Sequence, residues 1–240
     1  MNNYLGVSLK QEEIIKMFDK IAPKYDLVNR ILSFGIDKRW RERAIREVFG
    51  IINKQNIKVL DVACGTGDMI EVWQKEAKKR DISLQICGLD GSKGMLEIAK
   101  KRFPDIKFYN ALATQIPCES ESLDGVSIAF GIRNILEIEE AIKEFKRVLV
   151  SGGAVLVLEF TKSKNPSILR KGVDFYSHKV LPKIASFFSN KDAYEYLPAS
   201  IDNFYTKEEL ASLFEKSGFK IKKLASFNFS QVTLLIAKKI

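Results

Sequence analysis

The stretch "VLDVACGTGD", Val59 to Asp68, is an aliphatic, β-branched run that stops at an acid and is followed closely by two glycines flanking a threonine. The run reads as a buried strand ending at Asp61. Gly65, Thr66 and Gly67 then supply the backbone freedom of a tight strand-to-helix turn. A turn of this kind at the end of a buried strand is where α/β proteins hold a ligand.

Outward from that turn, apolar strands alternate with amphipathic helices, the pattern of a parallel sheet covered on both faces. "KVLDVAC" is the first strand, "DMIEVWQKEAKKR" the following helix and "SLQICGLD" the second strand. Ser92 is placed to cap the helix "KGMLEIAKKRF", and "IKFYNAL" and "DGVSIAFG" read as the third and fourth strands. The helix "IEEAIKEFKRVLV" is expected to run to a turn at Gly152-Gly153, before a fifth strand, "AVLVLEF". After the helix "KEELASLFEKSG", the runs "FKIKKLASFN" and "QVTLLIAKK" lie too close together for a crossover helix, so they form an antiparallel hairpin. A mostly parallel, Rossmann-like sheet with one reversed edge strand is the arrangement of class I methyltransferases, although spacing alone shows only the hairpin. The whole chain, residues 1–240, is expected to be one such domain. Residues 1–50 precede the core as a helical cap, and residues 161–200 form an insert after the fifth strand where substrate specificity should reside.

The composition limits the alternatives. The chain has 240 residues, 46% of them hydrophobic, enough for a core. No apolar run approaches the ~18 to 20 residues of a membrane span, and the start of the sequence lacks a secretion signal, so a cytoplasmic location is expected. Three separated cysteines and a single histidine, His178, leave no metal-cluster pattern. A net charge of +9 suits nucleic acid, an anionic membrane surface or an anionic substrate alike. Nucleic acid is the weakest of these, because no run of five like charges and no RNA-binding signature is present.

Two ligand classes compete for the glycine turn, a dinucleotide and S-adenosylmethionine. A dinucleotide turn needs a third glycine, and Ile70 stands in that place. A pyrophosphate would also meet a like charge at Asp68, whereas a cationic amine would be attracted by Asp68 and by Asp61. Asp90, at the end of the second strand, is placed to accept from both hydroxyls of a ribose. S-adenosylmethionine therefore fits better than NAD. Blander readings stand beside these: Asp68 as a helix-dipole residue, Met95 as core, Cys64 as a residue small enough for the turn.

At "FGIRN", Phe130 to Asn134, the chain resembles the ubiquinone/menaquinone biosynthesis C-methyltransferase family. The resemblance continues through "YDLVNRILSFGIDKRWR" (Tyr25 to Arg41), "RVLVSGGAVLVLEF" (Arg147 to Phe160), "DFYSHKVLP" (Asp174 to Pro182) and "YEYLPASI" (Tyr194 to Ile201). It implies methyl transfer from S-adenosylmethionine to a ring carbon of a polyprenylated hydroquinone, either demethylmenaquinol or a methoxy-benzoquinol. Another hydrophobic small molecule as acceptor is the alternative. By the same resemblance, cofactor contacts fall on Thr66, Asp90 and a pair after the third strand. That pair is Leu112-Ala113, or Asn110-Ala111 two positions earlier. Ala129 contributes its backbone only, and Tyr25 matches a contacting tyrosine. With the turn residues Asp61, Cys64, Gly65 and Gly67, and with Gly91, Ser92 and Met95 after the second strand, these make up the expected cofactor site.

Methylation at an aromatic carbon needs a group to steer the hydroxyl proton and a positive group to hold the oxygen anion. Arg133 and Asn134 follow the fourth strand at its carboxyl end and are the candidates, with Arg133 as anion stabiliser because guanidinium is a poor base. The resemblance implies that some members use this arginine as the base. Pairing of Arg133 with Glu137 at i+4 is the structural alternative. His178 is a further catalytic candidate, and Asp174, Tyr176 and Tyr194 are candidate contacts to the quinol head. Between 161 and 192, seven Lys or Arg stand against two Asp, interleaved with Phe175, Phe187 and Phe188. That mixture suits peripheral attachment to an anionic bilayer, with a solvated face as the alternative. A homodimer is left open.

Overall fold

The computed structural model describes residues 10–33, 35–162, 196, 199–227 and 232–240, together with the short antiparallel ladder Asn3–Tyr4 with Val7–Ser8. Two helices come first, α1 (Gln11–Ser33) and α2 (Ile36–Ile52). The alternating core follows: β1 (Asn56–Val62), α3 (Asp68–Lys78), β2 (Ser83–Asp90), α4 (Lys93–Arg102), β3 (Lys107–Asn110) and β4 (Leu123–Ala129). A 3-10 turn, Ile132–Asn134, leads into α5 (Ile138–Val148) and β5 (Leu149–Phe160). The chain closes with α6 (Lys207–Lys216), β6 (Phe219–Phe227) and β7 (Val232–Lys239).

The seven strands form one sheet in the order β3-β2-β1-β4-β5-β7-β6. β1 to β5 are mutually parallel, while β7 runs antiparallel to both β5 and β6. The expected hairpin is present, but its reversed strand is not at the edge. β7 lies between β5 and β6 because its apolar run, Val232 to Ala237, is buried throughout, whereas β6 alternates with exposed lysines and tolerates the edge. The Gly152-Gly153 turn is also corrected. α5 ends at Val148, and the glycines lie within β5, in an irregularity where the β4 register jumps from Leu123↔Leu149 to Gly125↔Ala154. Gly152 there has φ +78°, which only glycine adopts without strain.

The sheet is buried on both faces, which explains why its central strands read as near-continuous apolar runs. Leu60 and Val62 of β1 pack with Ile142, Phe145 and Phe214 on one face. Ile57 and Val59 pack with Phe49 of α2 and Trp73 of α3 on the other. Ser92 caps α4 by accepting from the Met95 amide at 3.1 Å, and a Thr206–Glu209 capping box starts α6. Strand order reverses between β1 and β4, so the carboxyl ends of these two strands open into a crevice.

Candidate active site

That crevice is a cavity of ≈ 470 Å³, within the range of about 300–1,000 Å³ usual for small-molecule sites. The turn after β1 supplies Ala63 and Gly65, and the end of β2 supplies Asp90, Gly91 and Ser92. Residues 111–114 after β3 and 129–131 after β4 complete the walls, together with Asn134. α1 roofs the cavity through Gln11, Ile14, Phe18 and Tyr25. The roof is tied down at two points. Gln11 donates to the Asn134 carbonyl at 3.0 Å and accepts from the Leu136 amide at 3.1 Å. Asp19 accepts from the Ser92 hydroxyl at 2.6 Å and the Gly94 amide at 2.9 Å.

The backbone at the crevice is unusual in a way that matters for ligand approach. Ala63 and Phe130, which follow the neighbouring strands β1 and β4, have φ of +49° and +58°, left-handed values that non-glycine residues seldom adopt. Gly131 has to be a glycine for a separate reason: a Cβ there would lie 2.5 Å from the Ala63 Cβ. Gly67 is similarly closed, with Phe103 at 2.5 Å from a built Cβ, but around Gly65 nothing lies within 4 Å. The first glycine of the turn therefore keeps space open toward the cavity, and the second lets the turn rest on Phe103.

Of the residues expected to contact a cofactor, Tyr25, Gly65, Asp90, Gly91, Ser92, Met95, Leu112, Ala113 and Ala129 line this one cavity. Ala111 lines it too, while the Asn110 side chain instead donates to the carbonyls of Asp90 and Gly91 at 3.0 and 2.9 Å. The wall runs continuously from Ala111 to Thr114, so it contains Leu112-Ala113 and only the second residue of Asn110-Ala111. Asp61, Cys64, Thr66 and Gly67 stand behind the lining. Thr66 and Asp68 are held by Arg102, with Asp68 paired to it at 3.0 Å.

Asp90 accepts one backbone amide on each oxygen, from Gly65 and from Ser92, both at 2.8 Å. Each oxygen keeps a second lone-pair direction, and burial lifts its pKa although the two amides oppose the rise. Asp61 is more deeply enclosed. Its Oδ1 accepts from the Ser127 hydroxyl at 2.6 Å, its Oδ2 has no partner, and burial raises its pKa to about 7 against the pull of Ser127 and Arg41. A buried acceptor without a donor, beside a glycine turn with free space, suits a ligand that brings a cationic amine. Asp90 and Gly65 line the cavity itself, whereas Asp61 stands one layer behind them.

Arg133 and Asn134 diverge. Asn134 lines the cavity, whereas the Arg133 side chain turns into the protein. It pairs with Glu159 at the end of β5 at 2.5 Å, donates to the Phe130 carbonyl at 2.9 Å and reaches the Ser200 hydroxyl at 3.3 Å. Burial opposes its charge, but Glu159, Tyr25 and Tyr196 outweigh burial and hold its pKa above the ordinary value. The pairing with Glu137 considered from spacing is not formed, because Asn134 ends a 3-10 turn and Glu137 precedes the first residue of α5. No continuous helix joins the two positions. His178, Asp174, Tyr176 and Tyr194 lie outside the described residues.

Sequence reasoning missed Gln11, Glu159 and Tyr196. Gln11 carries no local motif, whereas Glu159 and Tyr196 lie inside the blocks "RVLVSGGAVLVLEF" and "YEYLPASI", whose resemblance does not say which side chains meet.

The family model for the ubiE/COQ5 methyltransferase family matches residues 7–239. A ubiquinone/menaquinone biosynthesis C-methyltransferase UbiE from Campylobacter jejuni is 48% identical over 233 residues, covering 96% of this chain and 99% of that protein. A demethylmenaquinone methyltransferase from Chlorobaculum parvum is 36% identical over 234 residues, covering 95% and 93%. Among solved structures, a SAM-dependent methyltransferase from Thermotoga maritima aligns with TM-score 0.63 at 18% identity, covering 94% of this chain and 99% of that one. The matching span includes the roof helix α1, the glycine turn, the "FGIRN" loop and the C-terminal hairpin alike. The chain, a methyltransferase in fold and in the residues gathered at its crevice, belongs to the ubiE/COQ5 methyltransferase family.

Proposed function

We propose that the protein methylates a ring carbon of a polyprenylated hydroquinone, with S-adenosylmethionine as methyl donor, in quinone biosynthesis. The observation that carries this reading is the convergence of the glycine turn, Asp90 and the "FGIRN" loop on one cavity. The printed activities of the two relatives support the acceptor class.

When bound, S-adenosylmethionine supplies an electrophilic methyl on a sulfonium, which departs as a neutral thioether. Asp90 would hold the ribose hydroxyls, the Ala63–Gly65 turn, with Asp61 behind it, the ammonium end, and Met95 with Ala111, Leu112 and Ala113 the adenine. The methyl would take the place of the ring hydrogen, whose proton would pass to solvent. The acceptor carbon becomes nucleophilic as its neighbouring hydroxyl gives up a proton, so a donor aimed at that oxygen lowers the barrier. Asn134, which lines the cavity, is assigned this role. Arg133, neutralised by Glu159, acts chiefly by fixing the loop that carries Asn134, with its remaining positive field behind the cavity. α1 and the Gln11 tie exclude water over the reacting atoms.

The insert 161–200 is assigned the quinol head, with Asp174, Tyr176 and Tyr194 as contacts and His178 as a further catalytic candidate. Its basic and aromatic residues support peripheral attachment to an anionic membrane surface, where a polyprenyl substrate resides. Among the described residues no helix is long and apolar enough to cross a membrane. The test is incubation of purified protein with isotopically labelled S-adenosylmethionine and short-chain demethylmenaquinol or methoxy-benzoquinol, followed by mass spectrometry. A labelled methyl on the ring is expected. Absence of product from both quinols, with turnover of soluble phenols, would move the acceptor to another class.

A further inference from the structure

We propose that Tyr196 is a positioning residue for methyl transfer: its hydroxyl fixes the amide of Asn134 so that the amide's NH2 group faces the quinol oxygen. This rests on the acceptor assigned above and names how the chain would hold that oxygen.

Tyr196 is 6% exposed and packs against Ile14 of α1 and Leu136. Its hydroxyl donates to Asn134 Oδ1 at 3.0 Å, in a buried bond between positions 62 residues apart. The backbone of this segment is pinned on both sides. The Asn134 carbonyl accepts from Gln11, the Leu136 amide donates to Gln11, and the Asn134 amide donates to the Gly131 carbonyl at 3.0 Å. With the main chain held, the rotation of the Asn134 carboxamide is the remaining freedom, and the Tyr196 hydroxyl selects one of its two faces. An amide whose oxygen is engaged directs its NH2 group the opposite way.

Asn134 lines the cavity, and among the described residues its Nδ2 has no acceptor. The hydrogen bond at the oxygen also polarises the amide and strengthens its N–H donors. Arg133, one position earlier, carries the charge that would otherwise be the natural oxyanion partner. Its guanidinium is already committed to Glu159, Phe130 and Ser200. The neutral amide is therefore the donor that this loop presents to the cavity, and a phenolic oxygen placed against it would gain hydrogen bonding as negative charge develops. Tyr196 belongs to the "YEYL" block, residues 194–197.

The test uses the full chain, labelled S-adenosylmethionine and a short-chain demethylmenaquinol. Tyr196→Phe keeps the ring and removes the hydroxyl. Its kcat is expected to fall about ten- to a hundredfold, below the loss of a whole oxyanion donor, with the quinol KM and calorimetric affinity for S-adenosylhomocysteine within about twofold. Introduced into Asn134→Ala, the same change is expected to alter kcat less than about twofold, since the group it positions is gone. Asn134→Asp retains an acceptor for Tyr196 but lacks the donor, and its turnover should be lost even where Tyr196→Phe proves unstable. Wild-type kcat in Tyr196→Phe, effects that multiply in the double variant, or near-normal turnover in Asn134→Asp would each overturn the proposal. A wild-type protein that binds S-adenosylhomocysteine yet methylates neither quinol would instead overturn the acceptor assignment on which it rests.

Discussion

At Asp61 the protein holds a carboxyl group in conditions that favour its neutral form when no ligand is present. Its pKa is raised from 3.8 to about 7, chiefly by burial, so the folded state takes up a proton that the unfolded chain releases near pH 4. Stability from this group is complete below about pH 4 and declines as pH rises to about 7. The upper bound is roughly 4 kcal/mol at 1.36 kcal/mol per pKa unit. Asp61→Asn should therefore flatten the fall in thermal midpoint of the ligand-free protein between pH 4 and pH 7, and a parallel slope in both proteins would refute the assignment. Asp90 makes the contrasting case, since its two oxygens are already satisfied by the Gly65 and Ser92 amides. Asp90→Ala should weaken S-adenosylhomocysteine binding at least about tenfold, given ~1.5 to 3 kcal/mol for each hydrogen bond to a charged group. Calorimetry showing unchanged affinity would remove Asp90 from the site. Both acids can be picked out in the sequence by their places at the ends of β1 and β2. Which of them has an unpartnered oxygen cannot be picked out there, because that depends on Ser127 of β4, 66 residues away from Asp61.

Among the elements, the end of β5 and the 3-10 turn after β4 are joined by the Arg133–Glu159 pair, in which Glu159 is fully buried. Removing one partner of a buried ion pair leaves the other uncompensated and costs about 3–5 kcal/mol. Glu159→Gln should lower the urea midpoint accordingly, and Arg133→Met in the same background should recover part of the loss. If Glu159→Gln is as stable as the wild type, the pair does not hold the loop. Spacing suggested Glu137 as the partner, since sequence proximity on a continuous helix would bring it near. A parallel sheet instead sets β5 beside β4, and the residue that emerges next to Arg133 is 26 positions away. The C-terminal hairpin shows the same division. Its antiparallel pairing follows from a short connection, but the insertion of β7 inside the sheet follows from which of two apolar runs can be buried on both faces.

For the whole molecule, a net charge of +9 and the basic, aromatic stretch 161–192, on the proposed peripheral attachment, predict sedimentation with vesicles containing phosphatidylserine or cardiolipin. The bound fraction should fall as salt rises and be small on neutral vesicles. Equal binding to neutral and anionic vesicles would argue against the electrostatic part of the attachment. At this scale the βα alternation and the glycine turn could be read from the sequence alone, because these depend on local periodicity and glycine placement. Only the tertiary structure decided which side chains face the cavity. Thr66 and Asp68 are taken by Arg102 from α4, Asn134 turns inward while Arg133 turns away, and Gln11 and Tyr196 arrive from segments 123 and 62 residues distant from Asn134. The physical reason is that hydrogen-bond partners are chosen by proximity after the sheet has closed, and no local pattern records which distant donor will reach a buried acceptor first.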